Sequence, residues 1–359
     1  MVALPTHTVP VVTLKGFVAA IFHAAGCAEA EAAEIAAHLL SANLAGHDSH
    51  GVIRVPRYID DIRTGRTVPG RSLSVVAEGP AHAVLDGNYG FGQIIGAHAV
   101  DFGIAKAKQA GLAVVALRHS GHLGRIGDWG ERAAEAGLVS IHFVNAAGSA
   151  LVAPFGGIGR RFSTNPFCIG VPPMASRPML LLDMATSVVA EGKVFVASNG
   201  GKPIPANALI GPDGKQSGDP SVLYGPLVPN GPRLSANGRG ALRAFGEHKG
   251  SGLAFMCDIL GGLLTGGGPS GPGKFANGML SIYLEPRHFG AEDFVRQCME
   301  YVDYVKSSPT AEGVEEVLVP GEPEARNRAE REAHGVPLQV DVWVNLCNVA
   351  KELGVRVPA

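Results

Sequence analysis

The chain has 359 residues, of which 46% are hydrophobic and 17% charged, and its formal net charge is −2 at pH 7. This near-neutral balance gives no electrostatic reason to expect a nucleic-acid or membrane-surface partner. The length accommodates one large domain or two. The low charged fraction predicts that a second copy of the chain covers part of the surface, so we expect a homo-oligomer.

The five cysteines are scattered and form no CxxC pair, which predicts reduced thiols in a cytoplasmic protein. The first residues lack a basic segment followed by an apolar core, so they do not resemble a signal peptide. No apolar run reaches the roughly 18 residues that a membrane span requires. We therefore expect no membrane partner.

Hydrophobic spacing predicts a chain that begins with helices and continues with alternating strands and helices. The predicted helices cover 11–24, 29–44, 57–62, 93–110, 126–136, 247–265, 293–305 and 340–353. The predicted strands cover 75–76, 83–85, 112–117, 138–144, 179–182 and 279–284. The order of elements over 112–144 is that of a βαβ unit. Residues 199–246 hold much of the Gly, Pro and Asn and predict a long surface excursion.

Polar side chains are concentrated at 43–58, NLAGHDSHGVIRVPRY, directly after an alanine-rich helix. A guanidinium such as that of Arg54 can hold a carboxylate by two parallel hydrogen bonds. His50 can hydrogen-bond an adjacent oxygen, and Ser49 can orient that imidazole. The same cluster could instead only cap backbone groups at the helix end. The functional interpretation predicts a small carboxylate-bearing substrate.

A second histidine loop, HSGHLGRIG at 119–127, lies between a predicted strand and a predicted helix. Ligand sites in open α/β sheets gather at the carboxyl ends of strands, and a helix N-terminus favours anionic groups. An imidazole at His122 can exchange a proton with a hydroxyl or carbonyl near neutral pH. A structural loop histidine is the alternative. We expect the two histidine loops to meet across one cleft.

The doubled HxxH of His47/His50 and His119/His122 offers a rival interpretation, since four imidazoles could bind zinc in a metallohydrolase. An arginine after the first pair would repel a metal, and no acidic residue stands at ligand spacing beside the second. We therefore predict no metal site.

Neither glycine-rich segment predicts a standard nucleotide fold. Gly266, Gly268 and Gly271 spell GxGxxG, but they follow a predicted helix rather than a strand. Residues 268–274 nearly spell a P-loop, but Phe275 stands where Ser or Thr is needed. Because no Rossmann fingerprint is present, any dinucleotide must be held another way.

Two further segments are candidate cofactor contacts. The stretch EHKGSG at 247–252 combines a helix N-terminus, two glycines and a cation, which suits a phosphate or a ribose. An exposed first turn is the alternative. Asp183 follows an apolar strand and could accept a ribose hydroxyl or orient a histidine, or it could cap the next helix.

Taken together, these segments resemble the malate/L-lactate/ureidoglycolate dehydrogenase family, a type without a Rossmann fold. The resemblance covers nearly the whole chain, with several independent matches in the same order. They are NLAGHDSHG (43–51), HSGHLGRIG (119–127), VAPFGG (152–157), STNPFCIG (163–170), LDMATS (182–187), EHKGSGLA (247–254), NGMLSIYL (277–284) and PGEPEARNR (320–328).

The resemblance implies an α/β fold with a non-Rossmann mixed-sheet cofactor domain at 76–309. A helical domain would be formed by both chain ends, 1–75 together with 310–359. It also implies a homodimer that transfers a hydride between NAD or NADP and a 2-hydroxy or 2-oxo acid. Some members reduce cyclic imino acids (piperideine or pyrroline carboxylates), which is the alternative activity.

The resemblance also assigns roles residue by residue. His122 would be the general acid/base, Ser49 and His50 would orient the substrate, and Arg54 would grip its carboxylate. The cofactor contacts would be His122, Leu123, Gly124, Arg125, Ile126, Leu182, Asp183, Met184, His248, Lys249, Pro320, Gly321, Glu322 and Arg326.

Two more residues would lie on the substrate side. Thr164 would be near the substrate, and Lys193 would favour the hydroxy-acid branch because imine-reducing relatives carry an acidic residue there. The chain departs from the family at 227–244 and at 266–273, so its cofactor-edge contacts in those segments are expected to differ.

Overall fold

A computed structural model of the protein describes residues 6–173, 177–198, 202–226 and 235–358. The helices are α1 Val11–Ala24, α2 Glu29–Leu44, α3 Val55–Arg63, α4 Gly92–Ala110, α5 Gly127–Glu135, α6 Glu191–Ser198, α7 Ser221–Tyr224, α8 His248–Cys257, α9 Phe294–Lys306, α10 Glu322–His334 and α11 Val340–Glu352. Within these ranges no helix has the length and apolar character needed to cross a membrane.

The strands follow the predicted order, with several short additions. They are β1 Thr6–Val9, β2 Ser74–Gly79, β3 His82–Asp86, β4 Leu112–Ser120, β5 Val139–Ala147, β6 Val152–Ala153, β7 Phe167–Gly170, β8 Leu181–Met184, β9 Leu209–Ile210, β10 Gln216–Ser217, β11 Ala241–Arg243, β12 Ala276–Leu284 and β13 Val336–Gln339.

A seven-stranded mixed sheet forms the centre of the molecule, in the order β2-β3-β4-β12-β5-β7-β8. Only the β3–β4 pair is parallel among its neighbours. The predicted strand–helix–strand order of β4, α5 and β5 is confirmed, but the two strands do not pair. Strand β12 lies between them and runs antiparallel to both, so the βαβ unit is a split one.

Helices cover both faces of this sheet and approach it closely at glycines. On one face, a Cβ at Gly103 of α4 would lie 2.2 Å from the ring of Tyr283 in β12. On the other face lie α8 and a π-helical segment, Asp258–Leu263, where a Cβ at Gly261 would lie 2.6 Å from the carbonyl oxygen of Phe143. The predicted helix at 247–265 therefore ends in a π-helical turn, which widens the backbone where it meets the sheet.

A separate apolar cluster joins the two chain ends. Helices α1, α2 and α3 contribute to it from the N-terminal side, and β13 and α11 contribute from the C-terminal side. Strand β1 pairs with β13 in a two-stranded ribbon. The helices at 11–24 and 29–44 have the predicted bounds, because their apolar side chains recur on one face and Gly26 and Gly46 end them in left-handed conformations. Because the two chain ends share this apolar cluster, we propose the expected domain division, with both ends in a helical domain and the main sheet in the other domain.

The prediction of a long surface excursion at 199–246 is wrong for the described residues. Strands β9, β10 and β11 join β6 in a four-stranded sheet. Leu209 and Leu242 of this sheet are fully buried, together with Leu223 of α7. The glycines and prolines supply turns between very short strands, so composition alone misses the small core. Residues 199–201 and 227–234 of this stretch lie outside the described residues.

A buried polar cluster lies inside the main sheet. The ring of His142 in β5 contacts the Ser281 hydroxyl at 2.8 Å and the Ser140 hydroxyl at 3.0 Å. Burial lowers the pKa of His142 from 6.5 to about 3, because the charged form cannot be solvated there. His142 is therefore neutral in the folded protein at every pH in ordinary use.

This burial predicts an acid-dependent loss of stability. The unfolded chain takes up a proton at this site below about pH 6.5 and the folded chain does not, so the free energy of unfolding falls as pH drops from about 6 to 4. A His142→Gln variant should lose this component, about 1.4 kcal/mol per pH unit. Urea unfolding at pH 7, 5.5 and 4.5 measures it, with His98→Gln on the exposed side of α4 as the control. Parallel pH curves for His142→Gln and the parent would contradict the prediction.

Candidate active site

The turn that carries Ser49 and His50 is built by Asn43, the penultimate residue of α2. Its Oδ1 accepts a hydrogen bond from the Val52 backbone nitrogen at 2.9 Å, and its Nδ2 donates to Asp48 at 2.6 Å. A Cβ at Gly51 would lie 2.2 Å from the Asn43 Oδ1, so only glycine lets this side chain fill the turn. The turn thus has a fixed shape before any ligand binds.

Within the turn, the Ser49 hydroxyl contacts His50 Nδ1 at 3.0 Å. Arg54 donates from Nε to the Ser49 carbonyl at 2.6 Å. Among the described residues no carboxylate pairs with Arg54, and its two terminal nitrogens make no hydrogen bond. A guanidinium held by its Nε alone presents its free edge to a ligand.

The second histidine loop leaves β4 through an irregular strand end. The pairing of β4 with β12 shifts register between Asn277 and Met279, and His119 opposite this shift has a positive φ of 51°. The His119 carbonyl accepts from the Tyr89 backbone nitrogen at 2.7 Å. Such bulges redirect a strand, and here the redirected chain passes directly over the start of α4. A Cβ at Gly92 would lie 2.1 Å from the His122 carbonyl oxygen.

The two histidine loops meet. The rings of His50 and His122 are parallel, with an interplanar angle of 7° and centroids 5.7 Å apart. The site lies at the carboxyl ends of β3, β4, β5 and β8 and the amino ends of β7 and β12, because the strand registers bring these ends to one edge of the sheet. The expected proximity of the two loops is therefore present in the fold.

Tyr58 and Gln93 complete the site, and sequence reasoning did not single them out. The Tyr58 hydroxyl contacts His122 Nδ1 at 2.6 Å, and Gln93 donates to the same hydroxyl at 3.1 Å and to the His122 carbonyl at 3.2 Å. Both side chains are almost fully buried. The four-residue spacing from Arg54 to Tyr58 would place both on one helix face, but an apolar-facing tyrosine is normally read as core.

Electrostatics favour neutral imidazoles in this site. The surrounding protein desolvates the His122 ring, and this together with the nearby Arg54 charge lowers the pKa of His122 from 6.5 to about 3. Desolvation and Arg54 also lower the pKa of His50 well below its ordinary value. Burial raises the pKa of Tyr58, so its hydroxyl stays protonated.

The loop after His122 offers a cradle for a group with phosphate and ribose oxygens. Arg125 is 1% exposed, donates from Nη1 to Asp128 and Glu131, and leaves Nε and Nη2 without a hydrogen-bond partner among the described residues. Asp183 Oδ2 accepts from the Gly127 backbone nitrogen at 2.9 Å and lies 3.7 Å from Arg125 Nε. Asp183 therefore caps α5 rather than the helix that follows it.

The second oxygen of that carboxylate remains free for a ligand. Asp183 Oδ1 has no hydrogen-bond donor within the described ranges. Gly124 has a positive φ of 71°, and a Cβ there would lie 2.3 Å from His38 Nε2. The close approach at Gly124 is therefore taken up by His38, and it is the unused polar atoms of Asp183 and Arg125 that fit a bound nucleotide.

The remaining predicted residues lie at varying distances from this centre. Leu182 and Met184 flank Asp183 in β8, and the Thr164 carbonyl accepts from Thr186 just beyond that strand. Lys193 is exposed on α6, whose Gly192 packs against Ser49 so closely that a Cβ would lie 2.3 Å from the Ser49 Cβ.

Four of the predicted cofactor contacts are exposed or contact residues other than the histidine pair. His248 and Lys249 are exposed at the start of α8, where the His248 ring lies 5.9 Å from the ring of Phe155. Glu322 binds Lys306 at 2.7 Å, and Arg326 binds Glu316 at 2.6 Å.

Pro320 and Gly321 lie closer to the cradle. The Pro320 carbonyl accepts from the Leu181 nitrogen at 3.2 Å, and a Cβ at Gly321 would lie 2.1 Å from the Met179 carbonyl oxygen. These two residues therefore lie beside β8, whose Asp183 lines the cradle.

The four histidines of the doubled HxxH do not converge on one point. His47 contacts Glu324 at 3.1 Å, and His119 contacts Asp86 at 2.9 Å. Across the ranges that the structure describes, no group of three or more His, Cys, Asp or Glu side chains is placed to hold a metal ion. The geometry gives the zinc interpretation no support.

Known proteins resemble the chain over nearly its whole length. A family model described as malate/L-lactate dehydrogenase matches residues 9–347. Hydroxycarboxylate dehydrogenase B of Escherichia coli is 41% identical over 356 residues, which is 97% of this chain and 95% of that protein. The structure of malate dehydrogenase from Pyrococcus horikoshii gives a TM-score of 0.86 at 30% identity and covers 100% of this chain and 99% of that one. A delta1-piperideine-2-carboxylate reductase from Pseudomonas syringae gives a TM-score of 0.80 at 29% identity, covering 96% and 100%.

Proposed function

Because the chain belongs to the malate/L-lactate dehydrogenase family, we propose that it interconverts a 2-hydroxy acid and a 2-oxo acid with a nicotinamide cofactor. The single observation that carries the proposal is that Arg54, whose guanidinium has no carboxylate partner among the described residues, lies near the stacked imidazoles of His50 and His122. A small molecule with a carboxylate beside a hydroxyl or carbonyl matches these groups.

Arg54 would fix the substrate by its carboxylate. Its Nε is already committed to the Ser49 carbonyl, so the remaining edge can form two parallel hydrogen bonds to a carboxylate. His50, oriented by the Ser49 hydroxyl, would contact the neighbouring substrate oxygen. Positioning of this kind supplies a large part of a rate enhancement, since effective molarities in well-oriented systems reach about 10⁵–10⁸ M.

His122 would exchange the proton. The Tyr58 hydroxyl can accept a hydrogen bond from Nδ1–H of His122. This bond is the same in the neutral ring, with Nε2 unprotonated, and in the charged ring, with Nε2 protonated. This assignment leaves Nε2 for the substrate oxygen, a contribution of about 10²–10⁴-fold in typical enzymes. The nicotinamide, when bound, supplies or accepts the hydride, and Leu123–Ile126 with Asp183 would hold its nucleotide.

The pKa of His122 bears on both directions of the reaction. The neutral imidazole is ready to accept a proton from a hydroxy acid. In the reverse direction the ring must first be protonated. A substrate carboxylate on Arg54 would offset the positive charge that helps lower this pKa, so substrate binding favours the protonated form.

Reduction of a cyclic imino acid is the second candidate activity. The structural similarity to a piperideine-2-carboxylate reductase favours it, since such a substrate also carries a carboxylate. Lys193 favours the hydroxy-acid branch. A lysine at the edge of α6, next to the residue that packs on Ser49, would repel a cationic iminium.

We also propose that the protein is a homodimer. Large apolar side chains are exposed along α8 and the π-helical segment, with Phe255, Leu263 and Leu264 each more than half exposed. Covering such side chains favours self-association. Light scattering should give about twice the 37.1 kDa of one chain. A mass of one chain at micromolar concentration would contradict the dimer.

A spectrophotometric screen tests the activity. Pyruvate, oxaloacetate, other 2-oxo acids and cyclic imino acids would be supplied with NADH and NADPH in parallel, and the loss of reduced-cofactor absorbance followed. We expect turnover of 2-oxo acids. Turnover confined to cyclic imino acids would select the second candidate, and no turnover of either class would contradict the proposal. The same screen shows which nicotinamide cofactor is used.

Removal of the proposed acid/base should abolish most turnover. For His122→Ala we expect kcat to fall by about 10²–10⁴-fold while cofactor binding, followed by fluorescence titration, is retained. His119→Asn is the matched control, since it lies in the same loop, binds Asp86, and asparagine tolerates its left-handed backbone. Equal losses in both variants would remove His122 from the role.

Replacement of the proposed carboxylate clamp should act mainly on substrate binding. A lysine at Arg54 keeps the charge but cannot form the two-bond fork, so Arg54→Lys should raise KM for the 2-oxo acid by about tenfold or more. Arg57→Lys, one turn away, exposed and paired with Asp61, is the matched control. An unchanged KM in Arg54→Lys would show that the carboxylate binds elsewhere.

A further inference from the structure

We infer that Asn277 is a positioning residue that sets the backbone of the His122 loop, and that Asn145 anchors it to Asp258 on the opposite face of the sheet. The inference rests on the proposed function, in which His122 moves the proton. None of these three residues touches the histidine pair directly, so their effect would pass through the loop backbone.

The contact to the loop is made by the amide of Asn277, at the amino end of β12. Its Oδ1 accepts from the Leu123 backbone nitrogen at 2.9 Å, and its Nδ2 donates to the Asn145 carbonyl at 2.7 Å. The side chain is 6% exposed, so both bonds are shielded from water. Leu123 directly follows His122, and the bond therefore fixes the peptide that joins the two residues.

The chain of bonds continues through the sheet. Asn145 lies in β5 opposite Gly278, and its Oδ1 accepts from the Gly278 nitrogen at 3.2 Å. Its Nδ2 donates to the Gly268 carbonyl at 2.8 Å and to Asp258 Oδ1 at 3.3 Å. Successive side chains of a strand point to opposite faces, and Asn145 pairs with Gly278, the residue after Asn277. The Asn145 side chain therefore points to the π-helical face, and the Asn277 side chain points to the loop.

The anchor at the far end is a buried carboxylate. Asp258 is 6% exposed and begins the π-helical segment. It accepts from the Ser270 nitrogen at 2.8 Å, from the Ser270 hydroxyl at 2.9 Å and from Asn165 Nδ2 at 2.9 Å. No cation pairs with it among the described residues, so neutral donors alone stabilise its charge, and the loss of any of them is costly.

Glycines let the π-helical segment pack closely against the two strands that carry this chain of hydrogen bonds. A Cβ at Gly278 would lie 2.1 Å from the Gly261 carbonyl oxygen, and a Cβ at Gly262 would lie 2.5 Å from Asn145 Nδ2. The π-helical segment thus rests directly on the backbone of β12 at Gly278 and on the Asn145 side chain of β5. A π-helical turn at such a contact is typical of functional regions.

Asp258 also binds a residue on the substrate side of the site. Asn165, which it binds, follows the proposed substrate neighbour Thr164 and has a positive φ of 30°. One carboxylate therefore holds both the turn at 163–166 and, through two asparagines, the loop that carries His122. A misplacement of about 1 Å between such groups can cost about 10²-fold in rate.

The test compares two variants of the same strand. Asn277→Leu keeps the volume and removes both hydrogen bonds. Ser281→Ala, four residues further along β12, removes one bond to His142 and leaves the site untouched. Each variant is assayed for kcat and KM, for thermal unfolding, and for hydrogen exchange of the peptide covering 119–127 by mass spectrometry.

We expect Asn277→Leu to lower kcat by about 10²-fold, with KM changed by less than about threefold, and to raise exchange in 119–127. Ser281→Ala should lower the unfolding temperature but change neither kcat nor that exchange. A kcat within about twofold of the parent, or the same losses in Ser281→Ala, would overturn the inference.

Two arrangements keep the test decisive. If the parent turns over no substrate, the proposed function fails. The positioning role is then tested separately by hydrogen exchange, and unchanged exchange of residues 119–127 in Asn277→Leu would overturn it. If Asn277→Leu does not fold, Asp258→Asn replaces it, since the amide keeps the volume but puts a donor in place of one of the two oxygens that accept from Ser270 and from Asn165. We then expect raised exchange in both 119–127 and 266–273, and unchanged exchange in 119–127 would overturn the inference.

Discussion

The 2.6 Å hydrogen bond between the Tyr58 hydroxyl and His122 Nδ1 joins the two parts of the protein at one point. Tyr58 belongs to the helical cluster of the chain ends, where it packs on Phe22 and Phe91. His122 belongs to a loop of the sheet. This bond helps to set where the helical turn that carries Arg54 meets the edge of the sheet, and therefore where Arg54 lies relative to His122.

One ion pair also crosses between these two parts, and a second one holds the histidine turn on α10. Arg331 of α10 binds Asp48 at 2.7 Å, and Arg328 binds Glu131 of α5 at 2.8 Å. Buried and half-buried ion pairs of this kind add little net stability, since desolvation offsets much of the attraction. Their geometry is specific, however, so they fix α10 and the histidine turn against α5, next to the candidate nucleotide cradle.

The sequence predicted local structure well wherever spacing was regular. The bounds of α1 and α2 agree with prediction because their apolar side chains repeat with the helical period and glycines end them. Prediction was wrong for the described parts of 199–246, because two- and three-residue strands are too short to show an alternating pattern. Prediction also missed α10, because its sequence is mostly charged and holds no large apolar side chain that would show a helical spacing.

Within the candidate site, residues with distinctive chemistry could be identified from the sequence and residues with ordinary chemistry could not. Ser49, His50, Arg54 and His122 stand in two compact motifs, and the fold brings them together. Gln93, Asn277 and Asp258 stand in segments that spacing describes only as a helix or a strand. Their hydrogen-bond partners lie between 12 and 154 residues away in the chain, and no local sequence pattern indicates such contacts.

The amino-acid sequence by itself determined the helices with a regular apolar spacing, the order of the main strands along the chain and the two histidine motifs, because these depend on residues within a few positions of one another. Only the tertiary structure decided that β12 enters between β4 and β5, and that this insertion places Asn145 opposite Gly278, next to Asn277 beneath the histidine loop. Strand order in a sheet is chosen by the packing of whole faces against helices. That choice is a property of the folded chain, and no single segment encodes it.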